Sequence, residues 1–344
     1  MNKIMNVVYH SSDLFSPVLG VSLASVFENN TSMEEINVYI FDTAISDINK
    51  NKLYELAAKY SRSLHFIQMP DINKTQRLGL KDVGKAGWFF NSYMKLFLDE
   101  LLPENVERVL YLDSDVLVTS DLTELWNMDM NGGCAAGVID CLGEAYYKVL
   151  GLNDGAMYCN SGIILVDLIN WKKQRIGQRV REYCAENGGY VFFMEQTAFN
   201  AALQEEIIIL HPKYNVYSMM QILSYDELVK LRKLERYYTK EDIQEAVKKP
   251  VMIHLTNSFL LTNRAWHENS NHPEKELYEK YKEKTPWKEE PGFKDTRNVK
   301  DKIIQVIVDV LPRPIVLSVA SVLYNYIRVR KIEKLIKEAK KSAN

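Results

Sequence analysis

Residues 108–122 read RVLYLDSDVLVTSDL. A strand-like apolar run, Val109-Leu110-Tyr111-Leu112, ends in two aspartates one residue apart, Asp113 and Asp115, and the apolar pattern resumes at Val116-Leu117-Val118. In an extended segment alternate side chains share a face, so Asp113 and Asp115 aim at one point while Ser114 aims elsewhere. Burying such carboxylates unpaired is expensive, so something should compensate their charge. One solution is a divalent cation, for which hard oxygen ligands suit magnesium or manganese. The other is a capped turn, with aspartate accepting backbone N–H bonds at a strand end. His254 ends the apolar run Val251-Met252-Ile253 as Asp113 ends its own, and a histidine in the shell tilts the choice toward manganese or another transition metal.

Outward from this stretch, short apolar runs alternate with helical patterns. Strands are expected at Ile4 to Tyr9, Ile36 to Phe41, Leu64 to Gln68, Ala135 to Ile139 and Ile163 to Val166, and helices near Pro17 to Glu28, Ile48 to Tyr60, Ser92 to Leu101, Leu168 to Ala185 and Glu195 to Leu203. This is the βαβ pattern of an α/β protein with a mostly parallel sheet covered on both faces. Ligands of such sheets sit beyond the carboxyl ends of the strands, where Asp113 and Asp115 fall.

Length and composition bound the rest. The 344 residues suffice for one large α/β domain with an appendage, or for two domains, and a net charge of −2 argues against nucleic acid as a general partner. Cys134, Cys141, Cys159 and Cys184 have neither disulfide-scaffold density nor zinc-site spacing, so they are expected to be reduced and buried. The N-terminal MNKIMNVVYHSSD lacks a secretory pattern and no run is long enough to span a bilayer, which leads to the expectation of a cytoplasmic protein.

Near the C-terminus, TPWKEEPGFKD (residues 285–295) has linker composition. Beyond it Val299, Ile303, Val306, Ile307, Val310 and Leu311 recur at helical spacing, and from Arg328 onward seven lysines and arginines face only Glu333 and Glu338. An apolar face followed by a basic one reads as a helix lying on an anionic membrane. The alternatives are a helical hairpin packed on the main domain or on a second copy in a homo-oligomer.

The order LYLDSDVLV, VIDCL, YCNSGIILVDL, MEQTAFN and IHLTNSFLLTNRAW resembles glycosyltransferase family 8, retaining GT-A enzymes, over roughly Met5 to Trp287. The resemblance implies a GT-A fold, a Rossmann-like mixed sheet flanked by helices, as a catalytic domain at 1–285, with a linker at 286–295 and an amphipathic, basic helical tail at 296–344. It places Asp113, Asp115 and His254 as manganese ligands, with magnesium as a substitute. Asp140, Glu195 and Gln196 fall on catalytic positions. Ser12, Phe15, Lys95, Ser114, Asn160, Asn257 and Arg264 fall on donor-binding ones. The departures are Ser12 where the family often has aspartate, Phe15 for tyrosine, Glu195 for aspartate, Arg264 for lysine, and Asn257 in a longer loop without the family's glycine.

The activity implied is transfer of glucose or galactose from a UDP-hexose to a lipid-linked or cell-surface glycan acceptor, with an α-linkage, by a protein peripheral at the inner membrane face. Two rivals differ in class. A catalytically weak nucleotide-sugar-binding scaffold draws on the altered Ser12, Phe15 and histidine loop. A haloacid-dehalogenase-like phosphatase would need the acidic motif near the N-terminus and a later acidic pair, and the chain has neither. Trp266 and Trp287 suit either core or sugar platform, while His65, His211, His267 and His272 read as structural.

Overall fold

A computed structural model describes residues 2–69, 91–261, 263–295, 297 and 299–341. Its main sheet has seven strands in the order β3-β2-β1-β4-β7-β6-β8, formed by β1 (Ile4–Ser12), β2 (Glu35–Thr43), β3 (Ser63–Gln68), β4 (Arg108–Leu112), β6 (Ala135–Ile139), β7 (Cys159–Asp167) and β8 (Ile208–Ile209). β1 pairs in parallel with both β2 and β4, and β7 runs antiparallel between β4 and β6. Burial alternates sides as the pleat requires. Leu110 and Leu112 join the core under the helix Ser16–Asn29, while Val109 and Tyr111 join a second core under the helices Ile176–Glu186 and Met194–Leu203. A central strand covered on both faces reads as an unbroken apolar run, which is why the 109–112 segment is legible as a strand.

A second, three-stranded sheet, β5 (Val116–Val118), β10 (Met252–His254) and β9 (Val216–Tyr217), continues the chain beyond the aspartates. β10 pairs antiparallel to β5 with His254 opposite Val116 and Met252 opposite Val118. That register carries His254 to the Asp115 end of β5.

Two expected helices are interrupted. In place of a helix over 92–101, a 3₁₀ turn at Tyr93–Leu96 and a short helix at Leu98–Leu101 flank Phe97. The helix expected from Leu168 to Ala185 breaks into Leu168–Lys173 and Ile176–Glu186 because Arg175, at φ 57°, occupies the left-handed region. All four cysteines are free and buried.

The 286–295 stretch is firmly seated. Trp287 is fully buried, donates from Nε1 to Asn49 Oδ1 at 3.2 Å, and lies over Gly20, where a Cβ would come within 2.4 Å of its ring. The C-terminal region folds as helices Val299–Val310 and Arg313–Val322, a π-helical segment Leu323–Arg328 and a helix Val329–Lys341; residues 342–344 lie outside the described residues. Ile332 and Ile336 are buried with Tyr146, Tyr147 and Leu150 of the helix Glu144–Leu150, and Asn325 Nδ2 donates to the Leu231 carbonyl at 2.9 Å. The helix Val299–Val310 instead leaves its apolar residues in solvent, Val299 being 73% and Val310 77% exposed. Among the described residues no helix is long and apolar enough to cross a membrane.

Candidate active site

β1 has β2 on one side and β4 on the other, so the chain leaves it in opposite directions and a crevice opens beyond the carboxyl ends of β1 and β4. A cavity of about 1220 Å³ occupies this place. Ser114 ties its two walls together, donating from Oγ to the His10 carbonyl at 2.9 Å.

Asp113, Asp115 and His254 meet on the cavity wall, their ligand-capable atoms within 4.8 Å of one another. His254 Nε2 lies 3.1 Å from Asp115 Oδ1 and 3.8 Å from Asp113 Oδ2. Asp113 Oδ1 accepts from Lys95 Nζ and from the Tyr111 hydroxyl, both at 2.9 Å, which leaves Oδ2 turned toward the imidazole. Arg264 Nη1 donates to Asp115 Oδ2 at 2.8 Å and to the Leu255 carbonyl at 2.7 Å. Burial alone would raise the Asp115 pKa, but the His254 charge and hydrogen bond, with Arg264, outweigh it and bring it to about 2. Burial would lower His254, yet the two aspartates raise it above its ordinary value.

The cluster fits a divalent cation. Two carboxylate oxygens and one imidazole nitrogen converge, a donor set suited to manganese or a related divalent ion. The space beside them is kept open by Gly162, where a Cβ would stand 2.2 Å from His254 Cε1 and 2.9 Å from Asp113 Oδ2. Lys95, only 3% exposed, also donates to the Ser161 carbonyl at 3.1 Å, lies 3.6 Å from Glu195 Oε1 and sits over the Tyr111 ring.

Next to this cluster an amide and carboxylate set lines the same cavity. Gln196 Nε2 donates to Asp140 Oδ2 at 2.8 Å, Asn160 Nδ2 donates to the same oxygen at 3.3 Å, and Gln196 Oε1 accepts the Ser161 N–H at 3.1 Å. Glu195 and Gln196 open the helix Met194–Leu203, aimed by two consecutive non-glycine residues in the left-handed region, Phe193 at φ 59° and Met194 at φ 51°. Such strain persists where packing over-determines the backbone, and it concentrates at functional sites.

Every site residue expected from the sequence lines this one cavity: Ser12, Phe15, Lys95, Asp113, Ser114, Asp115, Asp140, Asn160, Glu195, Gln196, His254, Asn257 and Arg264. Asp13, beside Ser12, faces elsewhere and accepts from Ser46 N and Asn49 Nδ2. Phe15 meets Trp266 edge-on with ring centroids 6.0 Å apart, and Trp266 lines the cavity whereas Trp287 belongs to the core. Sequence reasoning missed Tyr111 as a partner of Asp113, although a tyrosine two residues before an aspartate on one strand shares its face. It also missed Arg232, Tyr324 and Arg328, which line the cavity from sites with no local motif.

A mixed sheet flanked by helices, with an acidic cluster at its switch point, defines the GT-A class of fold. The chain belongs to glycosyl transferase family 8, whose family model matches residues 6–270. General stress protein A of Bacillus subtilis (strain 168) is 26% identical over 288 residues, covering 83% of this chain and 96% of that protein. A lipopolysaccharide 1,2-glucosyltransferase of Escherichia coli (strain K12) is 25% identical over 293 residues, covering 84% and 80%. Among solved structures, the galactosyltransferase LgtC in complex with donor and acceptor sugar analogs superposes with a TM-score of 0.66 at 19% identity, covering 87% of this chain and all of that one.

Proposed function

We propose that the protein is a metal-dependent retaining hexosyltransferase that moves glucose or galactose from a UDP-sugar to a glycan acceptor, forming an α-linkage. The observation that carries this reading is the convergence of Asp113, Asp115 and His254 beside the Asp140–Asn160–Gln196 set in one cavity. The glucosyl- and galactosyltransferase names of the relatives support the choice of hexose.

Transfer breaks the bond between the sugar's anomeric carbon and a phosphate oxygen, so negative charge grows on the diphosphate and positive charge on the sugar. Asp113, Asp115 and His254 would hold a manganese or magnesium ion, which would supply a Lewis acid at the diphosphate. Lys95 and Arg264 add fixed positive charge there, and Arg264, hydrogen-bonded to Asp115 through Nη1, presents a planar fork suited to phosphate. Asp140 and Asn160 hold sugar hydroxyls. Gln196 places a neutral carbonyl near the anomeric carbon, the oxygen keeping a second lone pair beyond its bond to Ser161 N. The acceptor hydroxyl forms the new bond from the face the phosphate leaves, and its proton passes to the departing phosphate oxygen.

The acceptor is lipid-linked or cell-surface, and the tail brings the protein to an anionic membrane. Support comes from the exposed apolar positions Val299, Ile303, Val306, Ile307 and Val310, which fall along one face of a helix about 18 Å long, suited to lying on a bilayer and too short to span it. Replacing Ile303 and Ile307 by glutamate is expected to abolish pelleting with phosphatidylglycerol vesicles; retained pelleting removes the membrane assignment.

The catalytic reading is tested by incubating the protein with a panel of UDP-sugars with and without Mn²⁺ and measuring UDP release. Release from one hexose donor that requires metal and falls by at least about 100-fold in Asp115→Asn supports it. Release indifferent to metal and to that substitution overturns it.

A further inference from the structure

A second group of side chains lines the same cavity and has no part in the chemistry above: Arg232, Tyr324, Arg328 and Phe193. Arg232 closes the helix Tyr225–Arg232, and its guanidinium carbon lies 3.6 Å from the centroid of the Tyr324 ring. Among the described residues its Nη2 donates only to the Met219 thioether at 3.1 Å, a weak acceptor, and its buried Nε and Nη1 have no partner. Arg328 lies exposed above the Phe193 and Tyr324 rings, its guanidinium carbon 4.9 and 5.4 Å from their centroids. Among the described residues neither guanidinium pairs with a carboxylate, whereas Lys95, Arg264 and neighbouring Arg236 all do. The carboxylate whose field reaches Arg232, Asp140, is already tied to Gln196 and Asn160.

A buried guanidinium without an anion is costly, and stacking on an aromatic ring offsets only part of that cost. The arrangement is nevertheless held firmly. Asn325 binds the Leu231 carbonyl, Tyr146 donates to the Tyr324 carbonyl at 2.6 Å, and a Cβ on Gly143 would come within 2.2 Å of the Arg232 carbonyl. Tyr324 and Arg328 lie in the π-helical segment, a distortion found frequently at functional sites.

We propose that Arg232 and Arg328, stacked on Tyr324 and Phe193, recognise an anionic group, phosphate or carboxylate, carried by the acceptor. This rests on the hexosyltransferase reading, in which the donor's diphosphate charge is met by the Asp113–Asp115–His254 site, Lys95 and Arg264. The cationic pair is therefore surplus to a neutral hexose donor. Two of the four groups come from the C-terminal region that bears the exposed apolar helix, so the protein's membrane-facing part also shapes the wall that receives an amphiphilic, charged acceptor.

The test titrates the full-length protein, saturated with UDP and Mg²⁺, with glucose, glucose 1-phosphate and glucuronic acid by calorimetry. At least one charged sugar is expected to bind about tenfold or more tightly than glucose, the one preferred identifying phosphate or carboxylate as the group read. Arg232→Gln and the exposed Arg328→Gln should each remove that preference, Arg328→Lys should restore part of it, and all three should keep wild-type UDP affinity. Equal binding of the three sugars, no binding of the charged ones, or a preference that survives both glutamine variants overturns the proposal. So does a loss in Arg232→Gln confined to turnover of UDP-glucuronic acid, which would assign the pair to the donor. Failure of the wild type to bind UDP would instead strike the hexosyltransferase reading itself.

Discussion

A methyl group at position 162 would stand 2.2 Å from His254 Cε1, so Gly162→Ala must push the imidazole away from Asp113 and Asp115. Misplacing a ligand is expected to weaken Mn²⁺ binding in the presence of UDP by about 100-fold, read by calorimetry, with the circular dichroism spectrum unchanged; wild-type affinity would show that the three side chains are not the ligands. His272 is buried, its Nε2 paired with Ser218 Oγ at 2.9 Å and its Nδ1 accepting from Glu274 N at 3.1 Å. Burial holds its pKa down at about 4. The unfolded chain therefore binds a proton that the folded one refuses between about pH 6.5 and 4. Stability is full above that window and falls as the pH drops through it, by on the order of 3 kcal/mol from this group. Urea midpoints at pH 7 and pH 5 should differ less in His272→Gln than in the wild type; an equal difference would assign the acid sensitivity elsewhere, His10 being the other histidine that burial lowers to about 4. Asp113 and His254 were legible because each terminates an apolar run, and Asp115 because a strand's period of two puts it on the same face as Asp113. Arg232 was not, since in KLRKLERYY a basic residue reads as solvated surface and only the distant Tyr324 makes it part of a cavity.

Strand positions were read well where both faces are covered, as in β4 and β7, because burial on both sides demands an unbroken apolar run. Helices were read less well where a local conformation overrides propensity. Nothing in QRIG around Arg175 announces a left-handed residue, nor does MKLF announce that a 3₁₀ turn ends at Leu96. The antiparallel placing of β7 between β4 and β6 was likewise beyond local patterning, since pairing is decided by partners distant in sequence. The stretch holding Trp287 shows the same limit, its proline, glycine and charge matching a linker while one indole anchors it against Gly20 and Asn49. Trp287→Ala is expected to cost about 3–5 kcal/mol of unfolding free energy, measured by urea denaturation. A loss below about 1 kcal/mol would mean that the stretch contributes no core packing.

For the whole molecule, the two sheets and the C-terminal helices line one cavity, with carboxylates and imidazole at one station, amides at the next, and guanidiniums that have no carboxylate partner among the described residues, contributed partly by the tail. The architecture was legible from the order of five motifs, and the packing of Ile332 and Ile336 on Tyr146 and Leu150 was not, because a helix with a few apolar residues amid lysines fits a membrane, a domain surface or a second copy equally well. The claim on which the rest depends is that Asp113, Asp115 and His254 together hold a divalent ion beside the donor's diphosphate. Crystals grown with Mn²⁺ and UDP, with diffraction recorded at the manganese edge, test it directly. The predicted result is a single anomalous peak within about 2.0–2.5 Å of a carboxylate oxygen of each aspartate and of His254 Nε2, with UDP phosphate oxygens completing the shell. A peak held by other residues, or UDP bound in the cavity with no peak at these three, would contradict it.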